Sequence, residues 1–197
     1  MSRTRTLVDH ENPEEPEASA PSLTGPQARI VAAAQELFAQ RGVGGTSLQM
    51  IADAIGVTKA ALFYQFKTKD DIVLAAADDE LTRLEAVVDA AERVPRTRRR
   101  QVVLSGMVDL SVDRRRTVSV IMSDPVVLRF FADDERYQRV LDRLTDLLMG
   151  PGAEPHRHLQ TAMFMAALSG AVMHPMMADI DDDTLRCELL RLARRFR

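Results

Sequence analysis

From residue 26 to the C-terminal end, apolar residues recur at intervals of three and four and nowhere alternate strictly at two. That period belongs to helices that bury one face, and it leaves no segment to build a sheet. The first stripe, Ile30, Ala33, Ala34, Leu37 and Phe38, follows Thr24-Gly25-Pro26-Gln27. That tetrad combines a Thr cap, a Gln three residues on and a proline in the first turn. Gly42 ends the stripe. A second helix opens at Thr46-Ser47, buries Leu48, Ile51, Ala52 and Ile55, and stops at Gly56. Thr58 caps a third helix with Leu62 and Phe66 facing inward, and Thr68 with Asp71 opens a long helix reaching residue 92. Further helices are predicted over 96–112, 114–122, 126–149 (with a break at Ala132-Asp133), 156–173 and 183–196. Pro95, Asp124-Pro125, Gly150-Pro151-Gly152 and His174-Pro175 punctuate them. The expectation is an all-α chain of about nine helices.

Charge narrows the function classes. With 26 basic and 29 acidic residues the formal net charge is −3, which excludes a nucleic-acid binder working by bulk positive charge but permits a local basic patch. The three lysines, Lys59, Lys67 and Lys69, fall within eleven residues, and arginine carries positive charge elsewhere. Residues 1–23 set Arg3 and Arg5 against Asp9, Glu11, Glu14, Glu15 and Glu17, and add Pro13, Pro16 and Pro21. So little apolar surface cannot offset the entropy of ordering, and this acidic, proline-rich tail reads as disordered. The single cysteine, Cys187, excludes an intrachain disulfide and is expected to pack in the core. No run approaches the roughly 20 apolar residues of a membrane span, and the N-terminus has no apolar leader, so a cytoplasmic location with no membrane partner is expected.

The short helices at 48–55 and 59–66 have the spacing of a helix-turn-helix, with the motif running over 47–66. Ile51, Ile55, Val57, Leu62 and Phe66 lock the pair, Gly56 makes the turn, and Lys59, Ala60, Ala61, Tyr64 and Gln65 project outward. A second helix so presented fits the major groove, about 12 Å wide, while the caps at Ser47 and Thr58 offer amides and hydroxyls to phosphate. The longer run is Ala34-x-x-Leu37-Phe38-x-x-x-Gly42, then Thr46-Ser47-Leu48-Gln49-Met50-Ile51-Ala52-x-x-Ile55-Gly56-Val57-Thr58-Lys59 and on through Phe66-Lys67-Thr68-Lys69. It resembles the DNA-binding domain of TetR-family transcriptional regulators. The resemblance implies a DNA-binding domain over 24–84 and a regulatory, ligand-binding and dimerising domain over 85–197. It also implies DNA contacts from Thr46, Ser47, Gln49, Thr58, Lys59, Ala60, Ala61, Tyr64 and Lys67. Phe63 stands where the family usually has Tyr, and Ala60-Ala61 where Gly and Thr are common. Two alanines reach thymine methyls but read no donors or acceptors, which shifts base readout toward Gln49, Lys59 and Tyr64.

In the body, Met107, Met122, Phe130, Phe131 and Phe164 are deformable or bulky apolar residues suited to a cavity for a lipophilic guest, with Ser123 and His174 as polar anchors. His174 is also expected to be partly buried. The small residues Ala162, Ala166, Ala167, Ser169, Gly170 and Ala171 and the stripe Leu185, Leu189, Leu192 suit a close helix–helix contact. The resemblance implies a homodimer through a four-helix arrangement there. Arg98-Arg99-Arg100 and Arg114-Arg115-Arg116 read as solvated faces. His156 and His158 are two apart and do not share a helix face, so neither metal nor other cofactor is expected. No nucleophile elbow, phosphate loop or acid–base constellation marks an enzyme. The expected function is a repressor released from a palindromic operator in double-stranded DNA by a small effector. The alternatives are an activator or partner-controlled regulator, or a helical lipid-binding or scaffold protein that no longer binds DNA.

Overall fold

The computed structural model describes residues 23–115, 120–121, 124–150, 152 and 155–195. Residues 1–22 of the tail expected over 1–23, and most of the helix expected over 114–122, lie outside the described residues. Nine α-helices run through the described residues: α1 Gly25–Arg41, α2 Leu48–Ala54, α3 Lys59–Gln65, α4 Lys69–Glu92, α5 Arg96–Asp113, α6 Pro125–Asp133, α7 Glu135–Met149, α8 His156–Met173 and α9 Asp182–Ala193. A short 3₁₀ turn, Pro175–Met177, follows α8, and no strand occurs among the described residues.

The helix boundaries follow local chemistry. Thr24 and Gln27 form a capping box at α1, and Thr68 and Asp71 form another at α4. Gly42 and Gly56 adopt φ of 73° and 71°, left-handed values that a side chain disfavours, and so end α1 and turn α2 into α3. The segment expected as one broken helix is two. Asp134 ends α6 in extended backbone and accepts the Tyr137 amide at 2.6 Å, so one residue terminates one helix and caps the next. Asp181 caps α9 by accepting the Thr184 amide at 2.9 Å.

α1 packs on α2, on α3 and on the first half of α4, and α2 packs on α3, with Phe38, Ile51, Leu62 and Ile72 fully buried. The remainder of α4 packs on α5, with α6 and α7 beside it; α8 packs on α7 and α5, and α9 on α5. Arg136 bonds Asp78, Thr82 and Glu85, and Arg143 bonds Asp89 and Glu92, so two arginines of α7 fasten it along α4. Three expectations change. Cys187 is exposed, because α9 turns Leu185, Leu189 and Ala193 inward and leaves Cys187 on the other side. His174 is exposed too, its Nδ1 accepting the Met176 amide to cap the 3₁₀ turn. The arginine runs are not simply solvated. Arg99 donates to the Glu92 and Val94 carbonyls at the end of α4, Arg100 to the Leu148 carbonyl, Arg114 to Glu80, and Arg115 to the Ile180 carbonyl.

Candidate functional site

Residues 47–66 fold as two seven-residue helices joined through Ile55, Gly56 and Val57. Ile51, Ala52 and Leu62 are buried between them and α1, and Val57 closes the turn by donating its amide to the Ala52 carbonyl at 3.0 Å. With that side of α3 fixed, Lys59, Ala60, Ala61, Phe63 and Tyr64 face solvent, Tyr64 at 81% exposure. The Lys59 ammonium lies 5.5 Å from the centre of the Phe63 ring. Lys67 reaches back along the same face and donates to the Phe63 carbonyl at 3.3 Å. Ser47 and Thr58 accept the amides of Met50 and Ala61, which holds each hydroxyl at a helix entrance with its O–H still free to donate outward.

The structure separates the other expected members. Gln49 is exposed and donates to Asp53 at 2.7 Å, so its amide is engaged along its own helix. Thr46 is turned inward at 2% exposure and donates to the Gly42 carbonyl at 2.9 Å, a contact that forms the bend before α2. Lys69 donates to the Val43 and Thr46 carbonyls at 2.8 and 3.3 Å and braces that same bend.

The body holds a cavity of about 450 Å³, partly open to solvent, between α4, α5, α6, α7 and α8. Its wall is largely apolar: Leu81 and Leu84 from α4, Met107 and Leu110 from α5, Phe131 from α6, Met165 and Leu168 from α8. Phe131 stacks on Tyr137 with centroids 4.4 Å apart, and burial pushes the Tyr137 phenol up from its ordinary pKa. Of the seven residues expected here, Met107 and Phe131 are on the wall. Phe164 is buried in the core, Phe130 and His174 lie toward solvent, and Met122 and Ser123 fall outside the described residues. Sequence reading missed Glu80, which lines the cavity and is tied to Arg114 and Gln35. A buried Glu in the apolar stripe of α4 was the available signal, since such a residue is rarely buried without a partner. Among the described residues no group of three His, Cys, Asp or Glu is placed to hold a metal ion, and no helix is long and apolar enough to cross a membrane.

The described residues thus set a helix-turn-helix, a unit suited to the major groove, on a helical body that carries a cavity. Residues 30–76 match the family described as "Bacterial regulatory proteins, tetR family". Over that stretch the chain is similar to TetR-family transcription regulators. It is 33% identical over 95 residues to the HTH-type transcriptional regulator TtgR of Pseudomonas putida, a match covering 45% of this chain and 44% of that one. It is 24% identical over 127 residues to the HTH-type transcriptional repressor AcnR of Corynebacterium diphtheriae, covering 64% and 65%. The chain therefore spans less than half the length of the TtgR relative. Among solved structures, the fatty acid degradation regulator FadR of Bacillus halodurans superposes with TM-score 0.68 at 17% identity, over 90% of this chain and 100% of that one. A tetR-family regulatory protein of Rhodococcus RHA1 gives TM-score 0.68 at 21% identity, over 88% and 97%. These likenesses extend the shared fold from the helix-turn-helix to the body.

Proposed function

We propose that this chain is a cytoplasmic, homodimeric repressor that holds a palindromic operator and leaves it when a small lipophilic molecule enters the body cavity. The reading is carried by the solvent face of α3, where Lys59, Ala60 and Tyr64 are exposed, with Lys67 just beyond the helix, while Leu62 locks its other side. A seven-residue helix is about 10 Å long, which suits entry into a groove about 12 Å wide. Residues 24–84 are the reading unit and residues 85–197 the sensing and pairing unit, α4 belonging to both.

The pairing surface proposed is on α8 and α9. Leu159, Met163, Ala166, Ala167, Gly170 and Met173 recur at helical spacing along α8 and are exposed, and Leu192 of α9 is exposed too. Leu185 and Leu189 are spent inside the protomer. Two such faces meeting about a two-fold axis give an isologous contact and set two α3 helices toward one side of the DNA.

The test is selection of bound fragments from genomic DNA by the purified chain at about 0.15 M salt, a concentration at which non-specific binding is weak. The expected result is enrichment of inverted repeats whose half-sites are one helical turn, about 34–36 Å, apart or a multiple of it. Recovery of fragments with no common sequence would remove the operator reading.

A further inference from the structure

Residues from the end of α4, the first turns of α5 and α8 and the end of α7 line a second pocket, of about 940 Å³ and open to solvent, which shares no residue with the apolar cavity. α4 has 24 residues and is about 36 Å long. Its first residue, Lys69, braces the bend before α2, so this pocket lies at the opposite end from the helix-turn-helix. The ionised groups of the lining are four arginines, Arg96, Arg99, Arg100 and Arg143, against two carboxylates, Glu92 and Asp146. Both carboxylates are engaged. Glu92 accepts Nη2 of Arg143 at 2.6 Å, and Asp146 pairs with Arg157, a residue outside the lining. Arg99 donates Nε and Nη2 to the Val94 and Glu92 carbonyls at 3.2 and 3.1 Å. Carbonyls at a helix end together carry only about half a negative charge. Arg96 is exposed, and its guanidinium has no hydrogen bond or ion pair among the described residues. Two guanidinium charges at this pocket therefore have no carboxylate opposite them.

The helix that carries them adds to the imbalance. α5 begins at Pro95 with no side-chain cap and no acidic residue in its first turn, and places Arg96, Arg98 and Arg99 there instead. A helix N-terminus favours negative charge, so this opening turn breaks the local rule in a way that a bound anion would relieve. Arg96 and Arg99 are three residues apart and share one face of α5, the face that meets the pocket.

The number of unmatched charges selects the ligand. A carboxylate neutralises one guanidinium, whereas a phosphate monoester carries close to two charges near neutral pH and offers three strong acceptor oxygens to donors from separate side chains. The pocket is far larger than a bare phosphate and falls in the size range of small-molecule sites, and Leu147 and Met149 give it an apolar side. We infer that this pocket binds a small phosphorylated organic molecule, its phosphate taken by Arg96 and Arg99 and its body lying toward Leu147 and Met149. The inference depends neither on the operator nor on the apolar cavity.

The experiment titrates the full chain calorimetrically with phenyl phosphate, benzoate and inorganic phosphate at about pH 8, where the monoester is doubly charged. Phenyl phosphate is expected to bind about ten-fold or more tightly than benzoate, which can satisfy only one of the two guanidinium charges, and more tightly than inorganic phosphate, which has no body to bury. Arg96→Ala is expected to weaken phenyl phosphate about ten-fold and to leave the melting temperature of the ligand-free chain unchanged, since that side chain has no partner to lose. Arg129→Ala removes the same charge from α6, where the guanidinium bonds the Pro125 carbonyl, and is expected to leave phenyl phosphate binding as in the wild type. Equal affinity for phenyl phosphate and benzoate, or no binding of phenyl phosphate at millimolar concentration, overturns the inference. So does an Arg96→Ala chain that binds it undiminished, or an equal loss in Arg96→Ala and Arg129→Ala, which would mark a response to net charge alone. Inorganic phosphate binding as tightly as phenyl phosphate would overturn the assignment of an organic body.

Discussion

Lys67 and Lys69 lie two residues apart on either side of the α4 cap, and their ammonium groups face different surroundings. Lys67 is exposed just past the end of α3 and donates to the Phe63 carbonyl at 3.3 Å, while Lys69 is half-buried between the carbonyls of Val43 and Thr46. Lys67→Ala should weaken binding to specific and random DNA alike and flatten the salt dependence by about one phosphate contact. Lys69→Ala should leave that slope unchanged and lower unfolding stability by about 1–3 kcal/mol, since two carbonyls lose a charged donor. Fluorescence anisotropy at several salt concentrations and urea unfolding separate the two. An unchanged slope for Lys67→Ala would make it a bystander. The lysine cluster itself was legible, because composition is local. The division of labour within it was not, because the loop carbonyls that engage Lys69 are 23 and 26 residues away in sequence and arrive there only through folding. Glu80, Gln35 and Arg114 escaped for the same reason, being separated by 34 to 79 residues.

At the scale of elements, caps and turns are made by neighbours in sequence, so the starts of α1 through α4 could be read from Thr24, Ser47, Thr58 and Thr68. What a helix face touches is not local. Gly106 in α5 carries no sequence signal, yet a Cβ there would stand 2.6 Å from Cγ1 of Val87 on α4. Alanine is the better helix former by about 1 kcal/mol, but Val87 is stiff at χ1 and cannot swing aside cheaply. Overpacking should win, and Gly106→Ala should destabilise the fold by about 1–3 kcal/mol. A melting temperature equal to or above wild type would show that the α4–α5 contact yields. α9 offers a second test. The Thr184 amide and hydroxyl hold the Asp181 carboxylate below its ordinary pKa, so ionised Asp181 is favoured in the folded chain. Its stabilising effect is fully present above the usual carboxylate range and is lost as pH falls below that range through the lowered pKa of the folded chain. Amide exchange in the first turn of α9 should accelerate in acid in the wild type, and Asp181→Asn, which still caps but does not titrate, should remove most of that change. Identical acid profiles for the two chains would discard the cap as the cause.

For the molecule as a whole, the proposed function needs two reading helices held at a fixed separation, and the exposed face of α8 is the one proposed to hold them. Gly170 sits in the middle of that exposed stripe and is absent from the cavity wall, though its neighbour Ser169 is on it. A Cβ at Gly170 meets nothing within 4 Å among the described residues. The Cβ of a substitution there therefore meets no clash inside the protomer, on an exposed helix position, and a helical glycine that costs about 1 kcal/mol is removed. If α8 packs on its two-fold mate through this stripe, the same substitution places two leucines in a seam shaped for glycine, at about 1–3 kcal/mol each. The dimer dissociation constant should then rise by about ten-fold to a thousand-fold or more, while the dilute protomer melts no lower than wild type. Operator affinity should fall with dimerisation, because one helix-turn-helix grips half a site, and it should recover as protein concentration is raised. Analytical ultracentrifugation over a concentration series, run beside the DNA titration, measures both. A Gly170→Leu chain that stays dimeric at wild-type concentrations and binds operator undiminished would place the two-fold contact elsewhere on the body.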